Sequence, residues 1–379
     1  MPKKQSNPVS GGRVVVVGTG GTIAGAAQPT HGQGHLGYAA GTLKVQDLIA
    51  AVPLLGQQPL EALQLADLDS SDMDHATWVA LHACLQTQLA RPEVAGVVVT
   101  HGTDTLEETA YFLHRSLQMG LLAGVDMATD GGVGVGVGAG VKAGQATRWA
   151  AHKPVVLTAA MRPATAPSAD GPQNLLDAVT VAGTKSASGV LVVLAGRVHA
   201  GSELRKLHGY RVDAFSSGDA GPLAVLEDGS LRCFRPWPET QPHPQAQALL
   251  AMSSWPAVEI LTSHAGASGR LLEAAVAAGA QGIVIAGTGN GSVHHSLQAA
   301  AERATAAGVL VMRSSRCASG GVVGTSGPAQ LPSYGPLTPP QARIELMLDL
   351  ALPALSQRPG SPTRSAAPAS ALPASRSRR

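Results

Sequence analysis

Arg13-Val14-Val15-Val16-Val17-Gly18-Thr19-Gly20-Gly21-Thr22-Ile23-Ala24-Gly25 opens the ordered pattern of this chain, and Gly96-Val97-Val98-Val99-Thr100-His101-Gly102-Thr103-Asp104-Thr105 repeats its form. Each is a short run of β-branched apolar residues that stops abruptly in glycine and hydroxyls, with a carboxylate added in the second. Runs this short and this apolar read as strands buried on both faces, as in a parallel sheet covered by helices. Ligands of open α/β sheets sit outside the carboxyl ends of the strands. The two runs therefore direct Thr22, Thr103 and Asp104 toward one crevice.

The same pattern extends along most of the chain. Strands are expected at Val14–Val17, Gly96–Thr100, Pro154–Thr158 and Gly189–Leu194, with helices at Asp72–Leu89, Thr105–Met119 and Pro172–Val181 between them. The Pro-rich stretch 236–244 interrupts the alternation and marks a boundary. Beyond it a shorter α/β set follows, with strands Val258–Leu261, Gly282–Ala286 and Gly308–Met312 and a last helix Pro340–Leu352. The expected division is a domain over 13–235, a linker over 236–256, a domain over 257–355 and a disordered tail over 356–379. Residues 130–144, built on alternating glycine and valine, are expected to form a low-complexity insertion.

Composition narrows the function. With 44% hydrophobic but only 3% aromatic residues, Val, Ala and Leu must fill the cores. The net charge of +2 includes five arginines and no acid after Leu355, which leaves the rest of the chain at −3. No nucleic-acid-binding face is expected on such a body, and no apolar segment approaches a membrane span. Cys84, Cys233 and Cys317 have neither metal-ligand nor redox spacing, which argues for a reducing, cytoplasmic location. The adjacent His294 and His295 lack a third ligand at metal spacing, so no metal is expected.

The clusters at the strand ends have plain and chemical readings. Gly18-Thr19-Gly20-Gly21 has the look of a dinucleotide loop, but Ile23 stands where the third glycine belongs, and no cofactor is expected. Thr105 and Glu108 are spaced as a capping box, and Asp72 as the N-cap of the helix that follows Asp69-Ser70-Ser71. Capping does not account for Thr100, His101 and Thr103 crowding beside Asp104. Ser70 and Ser71 fall just outside a helix, where hydroxyls and N–H groups could receive a carboxylate. Lys185 is either a solvated turn lysine or a cation withdrawn from water that activates a hydroxyl.

These residues resemble the bacterial-type L-asparaginase family over nearly the whole chain. The resemblance is carried by Thr19–Gly25, by Thr100–Ala110, and by Ala160-Met161-Arg162-Pro163 with Ser168-Ala169-Asp170-Gly171-Pro172. Gly287-Thr288-Gly289-Asn290-Gly291 and Arg313-Ser314-Ser315-Arg316 complete it. It implies a flavodoxin-like larger domain, a smaller C-terminal α/β domain, and hydrolysis of L-asparagine to L-aspartate and ammonia. By the same resemblance Thr22 is the nucleophile, Tyr38 its assistant from a flexible lid, and Thr103, Asp104 and Lys185 the second threonine, acid and lysine. Ser70 and Ser71, with Thr103 and Asp104, would hold the substrate, and the protein would be a homodimer or homotetramer of the cytoplasmic type. Family members often carry an acid after the Arg-Ser-Ser-Arg segment, whereas residues 318–330 here contain none. That departure implies a preference for asparagine over glutamine. It also keeps open a catalytically weak amino-acid-binding or regulatory protein on the same fold.

Overall fold

The structure, a computed structural model, describes residues 12–27, 38–117, 153–324 and 330–351. The glycine-rich stretch 130–144, the tail 356–379 and most of the expected lid lie outside the described residues.

Strands β1 (Arg13–Gly20), β4 (Leu60–Leu68), β5 (Val94–Thr100), β6 (Val155–Thr158) and β7 (Val190–Leu194) pair in parallel, in the order β4-β1-β5-β6-β7. Counting these five alone, the order is 2-1-3-4-5, that of a flavodoxin-like sheet. Three antiparallel strands, β8 (Arg197–Ala200), β11 (Ala224–Glu227) and β12 (Ser230–Cys233), extend it beyond β7. Two further pairs are short: β2 (Ala26–Ala27) with β3 (Tyr38–Ala39), and β9 (Arg205–Lys206) with β10 (Phe215–Ser216).

The valines fix the layering. Val14 to Val17 are fully buried, and alternate residues fall into two separate cores. Val15 and Val17 join the core under helices α2 (His75–Leu89) and α3 (Leu106–Ser116), while Val14 and Val16 join that under α1 (Val45–Ala50) and α4 (Gly171–Ala182). A strand covered on both faces needs apolar residues at every position, which is why no alternation marks it.

The smaller domain has its own parallel sheet, β13 (Val258–Thr262), β14 (Gly282–Gly287) and β15 (Leu310–Ser315), with helices α6 (Arg270–Ala277), α7 (His295–Ala306) and α8 (Pro339–Leu350). One core lies wholly within it, but the α2–α3 core continues into Ile344, Leu346, Met347 and Leu348 of α8. An aromatic cluster sits at this junction: Trp78 stacks on Phe112, and Trp255 stacks on His75 and tilts against Phe112. The proline-rich connector is not slack. His243 N–H donates to the Arg115 carbonyl, Arg115 donates to the Gln241 carbonyl, and helix α5 (Ala246–Ala251) follows.

Two expected caps differ. Asp74, not Asp72, caps α2 by accepting from Thr77 N–H, because Asp72 is taken up in a 3-10 turn over Ser70–Asp72. Thr105 makes no side-chain cap on α3; its hydroxyl donates instead to the Ser70 carbonyl at 2.8 Å. A residue spaced for a cap is used here to tie two loops together.

Candidate active site

Strand order reverses at β1, whose neighbours are β4 and β5, and there the helices of adjacent crossovers leave on opposite sides. The loops after β1, β4 and β5 line the crevice this opens. Glycine lets them meet. Gly20 and Gly21 take φ of 104° and 80°, which side-chain-bearing residues rarely adopt. A Cβ on Gly21 would lie 2.4 Å from Gly102 Cα, and one on Gly102 would lie 2.3 Å from Ser70 Oγ. The three loops thus meet at three small residues.

The first loop turns sharply into a 3-10 turn over Thr22–Ala24. Thr22 Oγ1 lies 2.7 Å from the Tyr38 hydroxyl, and Tyr38 is delivered by the β2–β3 pair immediately after the turn. Gly25 makes room for the tyrosine ring, since a Cβ there would stand 2.7 Å from Tyr38 Cδ2. Behind the turn, the Asp170 carboxylate accepts from the N–H groups of Met161 and Arg162 and from Asn174. Ala164 N–H in turn donates to the Gly25 carbonyl. The Ala160–Pro163 and Ser168–Pro172 motifs therefore buttress the Thr22 loop.

The second loop presents Thr103, buried, and Asp104, whose side chain is 57% exposed. Asp104 N–H donates to Ser70 Oγ at 3.1 Å, which leaves the Ser70 hydroxyl proton for another acceptor. Ser71 beside it is exposed, its N–H bonded to Asp69. His101 does not enter the crevice. It is fully buried, and burial depresses its pKa to about 4, so the ring is neutral. The Gly102 carbonyl can only accept, so the ring donates to it from Nδ1, and Nε2 accepts from the Thr109 hydroxyl. Thr109 accepts in turn from Trp78 Nε1. This chain of bonds anchors the Thr103 loop to the aromatic core.

Six of the seven residues expected at the site, Thr22, Tyr38, Ser70, Ser71, Thr103 and Asp104, gather around this crevice. Lys185 does not. It is exposed in the turn between α4 and β7, at the amino end of β7 and so across the sheet from the hydroxyls. The lysine that is present is Lys206 of β9. Its Nζ donates to Thr103 Oγ1 at 3.0 Å and to Asp104 Oδ1 at 2.5 Å, with 18% of the side chain exposed. Lys206 N–H donates to Glu107 Oε2, a carboxyl whose pKa burial pushes up. Lys185 and Lys206 are the last two lysines of the chain, and only Lys206 lies beyond the parallel strands, which was the one available clue. Among the described residues no cluster of His, Cys, Asp and Glu could hold a metal ion.

The crevice therefore holds two threonine hydroxyls, one hydrogen-bonded to Tyr38 and the other to Lys206, beside a carboxylate and two serines. Such a set suits attack on an amide carbonyl in an amino-acid-sized substrate. Comparison with known proteins agrees. The model of the asparaginase N-terminal domain matches residues 13–120 and 145–239, and that of the glutaminase/asparaginase C-terminal domain matches residues 257–357. The chain belongs to the asparaginase family. It is 34% identical to L-asparaginase 2 of Bacillus subtilis over 88% of this chain and 81% of that protein. Glutaminase-asparaginase of Pseudomonas fluorescens is 33% identical, over 82% and 77%. The crystal structure of a probable cytoplasmic L-asparaginase from Campylobacter jejuni superposes with a TM-score of 0.75 at 34% identity, covering 89% of this chain and 95% of that one.

Proposed function

We propose that the chain hydrolyses the side-chain amide of L-asparagine, with Thr22 as nucleophile and Lys206 in the place expected of Lys185. The observation that carries this reading is the pairing of Thr22 with Tyr38 and of Thr103 with Lys206 at one switch point. Thr22 Oγ1 attacks the amide carbon, its proton passing through the Tyr38 hydroxyl to solvent. The C–N bond then breaks as the nitrogen collects a proton from Lys206 by way of Thr103, releasing ammonia. Water cleaves the ester on Thr22, restoring the hydroxyl and returning a proton to Lys206. The exposed Asp104 oxygen receives the substrate ammonium, and Ser70 and Ser71 donate to its α-carboxylate.

The names of the relatives support asparagine as substrate, and one of them names glutamine too. A cytoplasmic location is in keeping with the free Cys84, Cys233 and Cys317 and with the name of the Campylobacter protein. A homodimer or homotetramer is the assembly proposed, since Leu207 and Tyr210, just past Lys206, are about half exposed and suit cover by a second copy. The division at 236–256 belongs to the same reading. The hydroxyl–lysine pair weighs against the binding-protein alternative.

Ammonia release by the purified protein, given L-asparagine and separately L-glutamine over a wide concentration range, tests this. Turnover of asparagine with weak use of glutamine is expected. Binding without turnover of either would replace it with the amino-acid-binding reading.

A further inference from the structure

Strand β9 is an unlikely support for a proton-handling lysine. It is two residues long, and its one strand partner, β10, is equally short. Side chains alternate along a strand, so with Lys206 directed at Thr103 and Asp104 the neighbouring Arg205 is sent the other way. There the smaller domain meets it. Arg205 donates to three backbone carbonyls, those of Ala318 at 3.0 Å, Gly320 at 3.1 Å and Pro336 at 2.9 Å. Those carbonyls belong to two segments drawn tightly together: Val322 N–H donates to the Gly335 carbonyl, and a Cβ on Gly321 would lie 2.6 Å from Pro336 Cα. The buried Gln341 in the first turn of α8 adds a second tie, its Nε2 donating to the carbonyls of Ser202 at 3.2 Å and Leu204 at 3.5 Å. Ser202, Leu204 and Arg205 are thus each held from the smaller domain, directly ahead of Lys206.

We propose that Arg205 is a positioning residue that, by clamping β9 onto the smaller domain of the same chain, sets the reach of Lys206 to Thr103 and Asp104. The planar guanidinium supplies its donors in a fixed fork, so three carbonyls fix its direction where a point charge would not. The smaller domain thereby acts on the reaction of its own chain through the backbone. The consequence for catalysis rests on the functional reading above; the consequence for Lys206 itself does not.

Two readouts separate them. In Arg205→Met, reductive methylation mapped by peptide mass spectrometry is expected to label Lys206 several-fold faster, with exposed Lys185 unchanged as reference. Ammonia release from L-asparagine is expected to lose about tenfold or more in kcat with KM nearly constant, as for a group acting on the reaction step rather than on binding. Arg205→Lys, which keeps the charge and reaches fewer carbonyls, is expected to fall between. Because Arg205 acts through Lys206, adding Arg205→Met to Lys206→Met should cost nothing more. Unchanged Lys206 labelling in the folded Met and Lys variants, or an additive loss in the double variant, would overturn the inference. Faster Lys206 labelling in a chain whose wild type releases no ammonia would support the clamp and overturn the functional reading.

Discussion

The two hydroxyl turns start from the same sequence device and are completed in different ways. The turn after β1 finds its partner within sixteen residues, since Tyr38 returns on the strand pair that follows Thr22. The turn after β5 finds its partner over a hundred residues away, on a two-residue strand tied to the other domain. Their backing differs too. Positive-φ glycines shape the first, while a buried Trp78–Thr109–His101 chain of hydrogen bonds holds the second. Thr22 and its partner both lie in the larger domain, whereas the partner of Thr103 sits on a strand that the smaller domain also holds.

The largest loss is expected from Thr22→Ala at the turn after β1. Removing the proposed nucleophile, which would act with its partners as a unit, should lower kcat by about a thousandfold or more, with the melting temperature nearly unchanged. Full activity in that variant would remove Thr22 from its role. Tyr38→Phe keeps the ring on Gly25 and deletes only the hydroxyl. It should lower kcat by about a hundredfold, the usual scale for a positioned proton-transfer group, and steady-state kinetics will show whether KM stays level.

Gly102→Ala disturbs the turn after β5, because its Cβ would strike Ser70 Oγ at 2.3 Å. Displacing Ser70 is expected to raise KM for asparagine about tenfold, and the strain to cost about 1–3 kcal/mol in denaturant unfolding.

The smallest effect concerns the buried support. His101 has its pKa lowered to about 4, chiefly by burial, and His114 and His199 are lowered to about 4 by burial as well. An unfolded histidine binds its proton near pH 6.5, so between about 6.5 and 4 the unfolded chain holds more protons and stability falls as pH falls. One such histidine should account for about 2 kcal/mol between pH 7 and pH 5. His101→Gln should therefore flatten the pH dependence of unfolding over that window by about this amount. An unchanged slope would mean that His101 is not the neutral anchor described.

Much of this was legible in advance, for physical reasons. Val14 to Val17 and Val97 to Val99 read as strands buried on both faces and the glycines that end them as sharp turns, and the structure adds that those glycines are also points of close approach. Thr22, Thr103 and Asp104 lie in those breaks, whereas Tyr38, Ser70 and Ser71 lie on other segments and are pointed to chiefly by the family resemblance. Strand β4 was missed because Leu60–Leu68 lies at the sheet edge, mixes polar with apolar residues and is half-buried along nearly all its length. Spacing points Thr105 and Asp72 to capping because it reports which bond a residue is able to make, not which acceptor the fold brings to it. Lys206 was missed for a deeper reason. Lys185 sits one turn before a strand, a place the linear pattern makes conspicuous, but that turn is at the wrong end of a parallel sheet. Only tertiary packing, through Glu107, Arg205 and Gln341, makes Leu204-Arg205-Lys206 part of a site.

The exchange of one lysine for the other is therefore the point to test first. Lys185→Met and Lys206→Met, compared side by side for ammonia release from L-asparagine, give opposite expectations. Lys185→Met is expected to keep the wild-type rate, and Lys206→Met to lose about a hundredfold or more in kcat. A folded Lys206→Met protein at full rate, or a collapse of activity in Lys185→Met, would contradict the exchange.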